Sequence, residues 1–217
     1  MKRRSLFKQA AALAALAVLP AVTFAQPALQ AGKDYMAVKP AQPTESGDKI
    51  EVIEFFSYGC PHCFEFEPKL EPWSRALPKD VVFKRVPITF NREAWAVLAR
   101  VYLALDVMGQ AERLSLSVFN AVHNDRVDFS SEVARNGWLQ KNGVDAAKFN
   151  DSFKSFSVQS RLQRSTQLAA AYQIQGVPTL AIDGKYLVAP SMSGTFEGAL
   201  DAANQMIVKA RTERGRK

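Results

Sequence analysis

The chain has 217 residues, of which 47% are hydrophobic and 23% charged, with a formal net charge of +7. That suits one globular domain, or one domain carrying an inserted subdomain. The charge is not spread over a face: residues 1–25 hold four bases and no acid, residues 209–217 hold five bases against Glu213, and the body from 26 to 208 is left near −1. This distribution excludes a basic nucleic-acid-binding surface.

The first segment reads as separate from the fold. Lys2, Arg3, Arg4 and Lys8 precede the Ala/Leu-rich run Ala10–Leu19. That run is shorter than the roughly 20 residues a membrane span needs. Pro20 and Thr23-Phe24-Ala25 then supply a helix break and small residues, so the pattern predicts a secretory signal peptide cut near Ala25/Gln26. Arg3-Arg4-Ser5-Leu6-Phe7-Lys8 also resembles a twin-arginine export signal. The basic end, Lys209 to Lys217, reads as a solvated tail.

Beyond a Pro- and Gly-containing stretch with one short strand near Tyr35–Val38, Lys49–Ser57 is β-branched and aromatic and predicts a strand. A helix is expected from the first cysteine, with Pro61 at its first position and a kink at Pro68. Asp80–Val86 predicts a second long strand. From Arg92 the period changes: Ala94, Trp95, Leu98, Val101, Tyr102 and Leu105 follow helical spacing up to Gly109. Further helices are expected near 111–122, 131–141, 145–156 and 158–173. Thr179–Ile182 and Lys185–Val188 flank Asp183-Gly184, a hairpin signal with a type I′ turn. A last helix runs from Thr195 to about Arg211, with Glu197 in its first turn.

Strands separated by helices imply an α/β class with a mixed sheet. The helical block between the two halves of that sheet implies an all-helical insertion, residues 90–157, within a domain made of 26–89 and 158–217.

Cys60 and Cys63 are the only cysteines, and the export signal places them where disulfides persist. A purely structural link is one reading. Closing so short a loop is worth only about 2 kcal/mol, against about 4.7 for a long loop, which favours a redox pair. Disulfide exchange needs a thiolate, and an ordinary cysteine is only about 3% ionised at pH 7. A helix N-terminus favours the Cys60 anion, but the dipole supplies at most about 2 kcal/mol. Direct N–H and S–H donors, or a charged or donating His62, must add to it. His62 has the alternative of being a plain surface histidine. Glu54 interrupts the apolar run Val52-Ile53 and Phe55-Phe56. It is either an exposed strand position or a buried carboxylate with a raised pKa, able to exchange a proton with Cys63. Val177-Pro178 opens the hairpin; base rates alone favour a trans bond there.

Glu54-Phe55-Phe56-Ser57, Cys60-Pro61-His62-Cys63, Phe83-Lys84-Arg85-Val86, Ala94-Trp95-Ala96, Gly176-Val177-Pro178-Thr179-Leu180 and Asp183-Gly184-Lys185-Tyr186 together resemble the thioredoxin-fold superfamily and, within it, the DsbA family of periplasmic oxidases. The resemblance covers most of the chain after residue 25. It implies a thioredoxin-like mixed sheet flanked by helices and a thiol:disulfide oxidoreductase. In that reading Cys60 and Cys63 form the redox-active disulfide, Cys60 exchanges, and Pro61 and His62 help set its reactivity. Pro178 is cis, Val177 offers backbone hydrogen bonds to a bound peptide, and Glu54 is the acid beneath the cysteines. The family often pairs that acid with a lysine, where this chain has Arg85 beside Lys84. The resemblance further implies no metal or organic cofactor, reduced unfolded exported proteins as substrates, a DsbB-like quinone-linked oxidase of the inner membrane as partner, and a monomer.

Four other readings compete. An isomerase of the DsbC type needs a dimerisation domain before its cysteines, and only residues 26–59 are available. A thioredoxin-like reductase does not need 114 residues between Cys63 and Pro178. A metal module built from Cys60, His62, Cys63 and His123 lacks the tetrahedral reach of a four-ligand site. A binding-only chaperone would use the same peptide groove without redox chemistry.

Overall fold

The structure, a computed structural model, describes residues 29–215. The export segment expected over 1–25 lies outside the described residues. The elements run β1 (Met36–Ala37), β2 (Ile50–Phe56), α1 (Pro61–Arg75), β3 (Val81–Pro87), α2 (Glu93–Val107), α3 (Ala111–His123), α4 (Glu132–Lys141), α5 (Ala146–Lys154), α6 (Phe156–Ala171), β4 (Thr179–Ile182), β5 (Tyr186–Val188), α7 (Pro190–Ser193) and α8 (Phe196–Glu213). The sheet order is β1-β5-β4-β2-β3. Only β2 and β3 are parallel; β4 runs antiparallel to β2, β5 to β4, and β1 to β5. This is the thioredoxin-like mixed sheet that the sequence implied.

β2 lies inside the sheet with all seven residues buried, as its nearly continuous apolar run requires. Its side chains alternate between two cores. Ile50 and Val52 pack with Phe66 and Leu70 of α1 and Met206 and Ile207 of α8; Ile53 and Phe55 pack with Tyr172 and Leu187 on the other face. Phe66 and Leu70 are fully buried, each worth about 1.5–3 kcal/mol of apolar burial. A third core fills the helical block and takes in Phe56, Tyr58, Cys60 and Cys63. The cysteines therefore sit on the seam between helical layer and sheet. α6 serves both, with Val158 and Leu162 in the helical core and Leu168 and Ala169 against the sheet.

Local chemistry fixes the boundaries. Asp183 and Gly184 both have positive φ, 54° and 70°, and Lys185 N–H bonds the Ile182 carbonyl at 3.0 Å, the I′ turn read from Asp-Gly. Gly184 could not carry a side chain, since a Cβ there would sit 2.0 Å from the Gln42 carbonyl oxygen. The break between α5 and α6 falls at Ser155, slightly before the expected position. Ser155 ends one helix and caps the next, its Oγ accepting from Val158 N–H at 3.2 Å. Pro68 does not end α1, which continues through it and Pro72 to Arg75. Short α7 was not foreseen, although Pro190 at its start and left-handed Gly194 after it are the expected punctuation. A cis bond at Lys39-Pro40 was also unforeseen.

Candidate active site

The redox motif is presented by a turn between β2 and α1. Cys60 N–H bonds the Ser57 carbonyl at 3.0 Å, and Gly59 N–H bonds Ser57 Oγ at 3.1 Å. Cys60 is the N-cap of α1 with extended backbone, and Pro61 opens the helix where no N–H is needed. The turn is packed tightly. A Cβ on Gly59 would lie 2.6 Å from Trp95 Nε1 and 2.8 Å from Trp95 Cδ1. Gly59→Ala is therefore expected to cost about 1–3 kcal/mol through overpacking. Urea denaturation checks this, and an unchanged midpoint would contradict the contact.

Both cysteines are free thiols in this structure, and both are buried, Cys60 at 6% and Cys63 at 1% exposure. They are electrostatically unlike. The Cys60 pKa is lowered to about 6, first because the Cys63 S–H points at it, then because the backbone N–H groups of Cys63 and His62 do, with the His62 charge contributing least; burial opposes the shift. Burial raises the Cys63 pKa well above its ordinary value, and the hydrogen bond it gives Cys60 holds its proton further. At pH 7 a thiol with a pKa of about 6 is roughly 90% ionised. The pair thus holds a ready thiolate beside a retained thiol.

His62 reaches Cys60 mainly through its backbone. Its side chain is 73% exposed and pairs with Glu65 Oε2 at 3.2 Å. Cys63→Ala should consequently raise the Cys60 titration midpoint more than His62→Ala, which keeps the amide and loses only the charge. Thiolate absorbance against pH measures both; an equal or larger shift in His62→Ala would reverse the ranking.

Glu54 is 1% exposed, on the α1 side of β2, directly opposite Arg85 of β3. Arg85 Nε lies 2.8 Å from Glu54 Oε2, but off the hydrogen-bond axis, so that oxygen is buried without an aligned partner. The rest of the guanidinium is spent on Glu67, with contacts of 3.0 and 2.6 Å, and on Ser115 Oγ at 2.6 Å. Burial raises the Glu54 pKa well above the carboxylate range; Arg85 opposes this, while Glu67 and Cys60 add to it. Arg85 itself holds its proton more tightly than usual, because the two carboxylates outweigh its burial. Lys84 points to the opposite face, 2.7 Å from Glu51. Arg85 is therefore the residue standing where the family lysine was expected.

Across the turn, the Cys60 thiol donates to the Val177 carbonyl at 3.4 Å, and Val177-Pro178 is cis. A groove of about 770 Å³ begins here, lined by His62, Ile174, Val177, Pro178, Met192 and Phe196 among others. A second cleft, about 810 Å³, lies along β3 with Arg85 and Glu67 in its wall.

The structure thus brings together Cys60, Cys63 and Val177, places Glu54 beneath the turn, and turns the His62 imidazole outward. Sequence reading missed Glu67, Ser115 and Tyr58. Glu67 had a signal, since an acid four residues after Cys63 falls on the buried side of α1. The proposed metal ligands do not converge: His123 is bound to the Tyr58 carbonyl, and among the described residues no group of three His, Cys, Asp or Glu side chains is arranged to hold an ion.

Residues 51–201 match the model of the DSBA-like thioredoxin domain. The chain belongs to the DsbA family. It is 41% identical over 202 residues to the thiol:disulfide interchange protein DsbA of Bordetella parapertussis, covering 92% of this chain and 96% of that protein. To the DsbA of Pseudomonas aeruginosa PAO1 it is 38% identical over 181 residues, covering 83% and 85%. The crystal structure of Pseudomonas aeruginosa DsbA superimposes with a TM-score of 0.83 at 36% identity, covering 87% of this chain and 97% of that one. The chain is accordingly a DsbA-type thiol:disulfide oxidoreductase.

Proposed function

We propose that this DsbA-type protein is a periplasmic disulfide oxidase that gives its Cys60–Cys63 disulfide to reduced, exported proteins. The observation that carries the reading is the inequality of the two sulfurs, Cys60 at about 6 and Cys63 raised. Stabilising the thiolate of the reduced form makes the couple oxidising.

In the proposed cycle, a substrate thiolate attacks Cys60 Sγ. A bond forms between those sulfurs, the Cys60–Cys63 bond breaks, and Cys63 leaves as a thiolate that takes a proton from the protonated Glu54 carboxyl. The substrate's second thiolate then attacks its own sulfur in the mixed disulfide and expels Cys60, a good leaving group at its low pKa. Two electrons end on the enzyme and the disulfide on the substrate. Val177 and cis-Pro178 present the bound peptide's backbone to Cys60, and Pro61 and the His62 amide hold the helix start that receives the charge. An inner-membrane, quinone-linked DsbB-like oxidase would reverse the step, docking in the same apolar groove. The protein is read as a monomer, exported through the segment 1–25, with 26–89 and 158–217 as the thioredoxin-like domain and 90–157 as the helical insertion. Among the described residues no helix is long and apolar enough to cross a membrane.

Redox titration against glutathione tests this reading. The equilibrium is expected well to the oxidising side of thioredoxin; a thioredoxin-like value would make the protein a reductase instead.

A further inference from the structure

One face of α3 touches the active site at three levels. Ser115, Phe119 and His123 follow at i, i+4 and i+8. Ser115 Oγ accepts from Arg85 in the buried ion cluster at 2.6 Å. The Phe119 ring meets the Tyr58 ring edge-on at 4.8 Å. His123 Nε2 lies 2.8 Å from the Tyr58 carbonyl. A carbonyl only accepts, so this nitrogen carries the proton and donates; neutral imidazole and imidazolium both satisfy the bond.

His123 also grips the other flank of the motif. Its ring stacks on Phe64, the residue after Cys63, with centroids 5.0 Å apart and planes 2° from parallel. A single side chain from the helical layer therefore holds the peptide before Gly59-Cys60 and the aromatic ring after Cys63. Trp95 closes the turn from a second side, against Gly59. The Ser57–Cys60 turn has its own two hydrogen bonds, whereas the Tyr58 carbonyl takes its hydrogen bond, among the described residues, from His123 of α3.

We propose that His123 is a positioning residue of the redox site, whose hydrogen bond to the Tyr58 carbonyl sets where the Cys60 sulfur stands relative to the first turn of α1. The inference rests on the reading of Cys60 as the exchanging sulfur. The donors that stabilise the Cys60 thiolate all belong to α1, whereas Cys60 itself is delivered by the turn. His123 is the tie between the two. Without it, the sulfur is free to drift from the N–H and S–H groups that face it, and its pKa rises.

Two variants separate the hydrogen bond from the stack. H123F keeps the ring on Phe64 and removes the donor. H123Q keeps a donor at about the reach of Nε2 and removes the ring. In H123F the Cys60 thiolate titration is expected to move up by about one pH unit, the net worth of one hydrogen bond. The equilibrium with glutathione at pH 7 should move about fivefold toward the protein disulfide, as the reduced form loses stability. H123Q is expected to restore both toward the parent. An H123F curve that superimposes on the parent, even with a lowered urea midpoint, would leave His123 a purely structural residue and overturn the proposal. So would equal shifts in H123F and H123Q. Activity surviving in Cys60→Ser would instead overturn the underlying reading, so the two failures are distinguishable.

Discussion

Cys60→Ser is expected to abolish reoxidation of a reduced, denatured test protein, leaving only the rate of the uncatalysed solution. The argument is chemical before it is structural. A serine oxygen forms no disulfide, so the variant has no bond to donate. Cys63 cannot take over, because it is 1% exposed and burial holds its proton well above the ordinary thiol range. The complementary variant separates the roles. Cys63→Ser keeps the sulfur beside the Val177 carbonyl but cannot complete the internal exchange, so it should accumulate mixed disulfides with other thiols through Cys60. The absorbance of the reduced wild-type protein should show a thiolate titrating near 6, and in Cys60→Ser that step should be absent. Linkage gives the stability consequence. The folded pKa lies below the unfolded one, so the thiolate stabilises the reduced fold above the unfolded thiol pKa, and this contribution fades as pH falls through about 6. Undiminished oxidase activity in Cys60→Ser would remove the central claim.

How much of this was legible in the sequence differs between elements. β2, the helix start at Pro61 and the Asp183-Gly184 hairpin were readable because a few residues decide each locally: a β-branched run, a proline at the first helical position, two residues that accept positive φ. The α5–α6 break was misplaced because the deciding element was one serine side chain capping Val158 N–H, and several serines competed for that role. At the site, the motif marked Cys60 and Cys63 and the helix start implied N–H and S–H donors to Cys60, but that the His62 amide outweighs the His62 charge was not legible from residue identity. Glu54 could be read two ways until the register put it against Arg85. His123 was considered only as a metal ligand. Its contact with Tyr58 joins positions 65 residues apart, and nothing in a one-dimensional pattern pairs them.

Arg85→Met should be the most destabilising single change at the site, costing about 3–5 kcal/mol, because it strips the cation from buried carboxylates that remain. Glu54 and Glu67 are each 1% exposed, and Arg85 is the shared partner of both. The penalty should depend on pH in a defined direction. Burial already raises the folded pKa of Glu54 above its unfolded value, and Arg85 is what opposes that rise. Removing Arg85 raises it further. A carboxyl with a raised folded pKa binds more protons folded than unfolded, so stability falls as pH climbs from the unfolded pKa through the folded one. Urea unfolding should therefore find Arg85→Met closer to wild type at pH 5 than at pH 8, and adding Glu54→Gln and Glu67→Gln should recover part of the loss at pH 8. Arg85→Lys is the informative companion. It keeps a charge but not the fork that reaches Glu67 and Ser115 while lying beside Glu54. It should be less destabilising than Met. Lysine can also give up a proton in a buried site where arginine cannot, so it should change how the reoxidation rate responds to pH. A loss in Arg85→Met that is equal at both pH values would mean that packing, not the uncompensated carboxylates, gives Arg85 its weight.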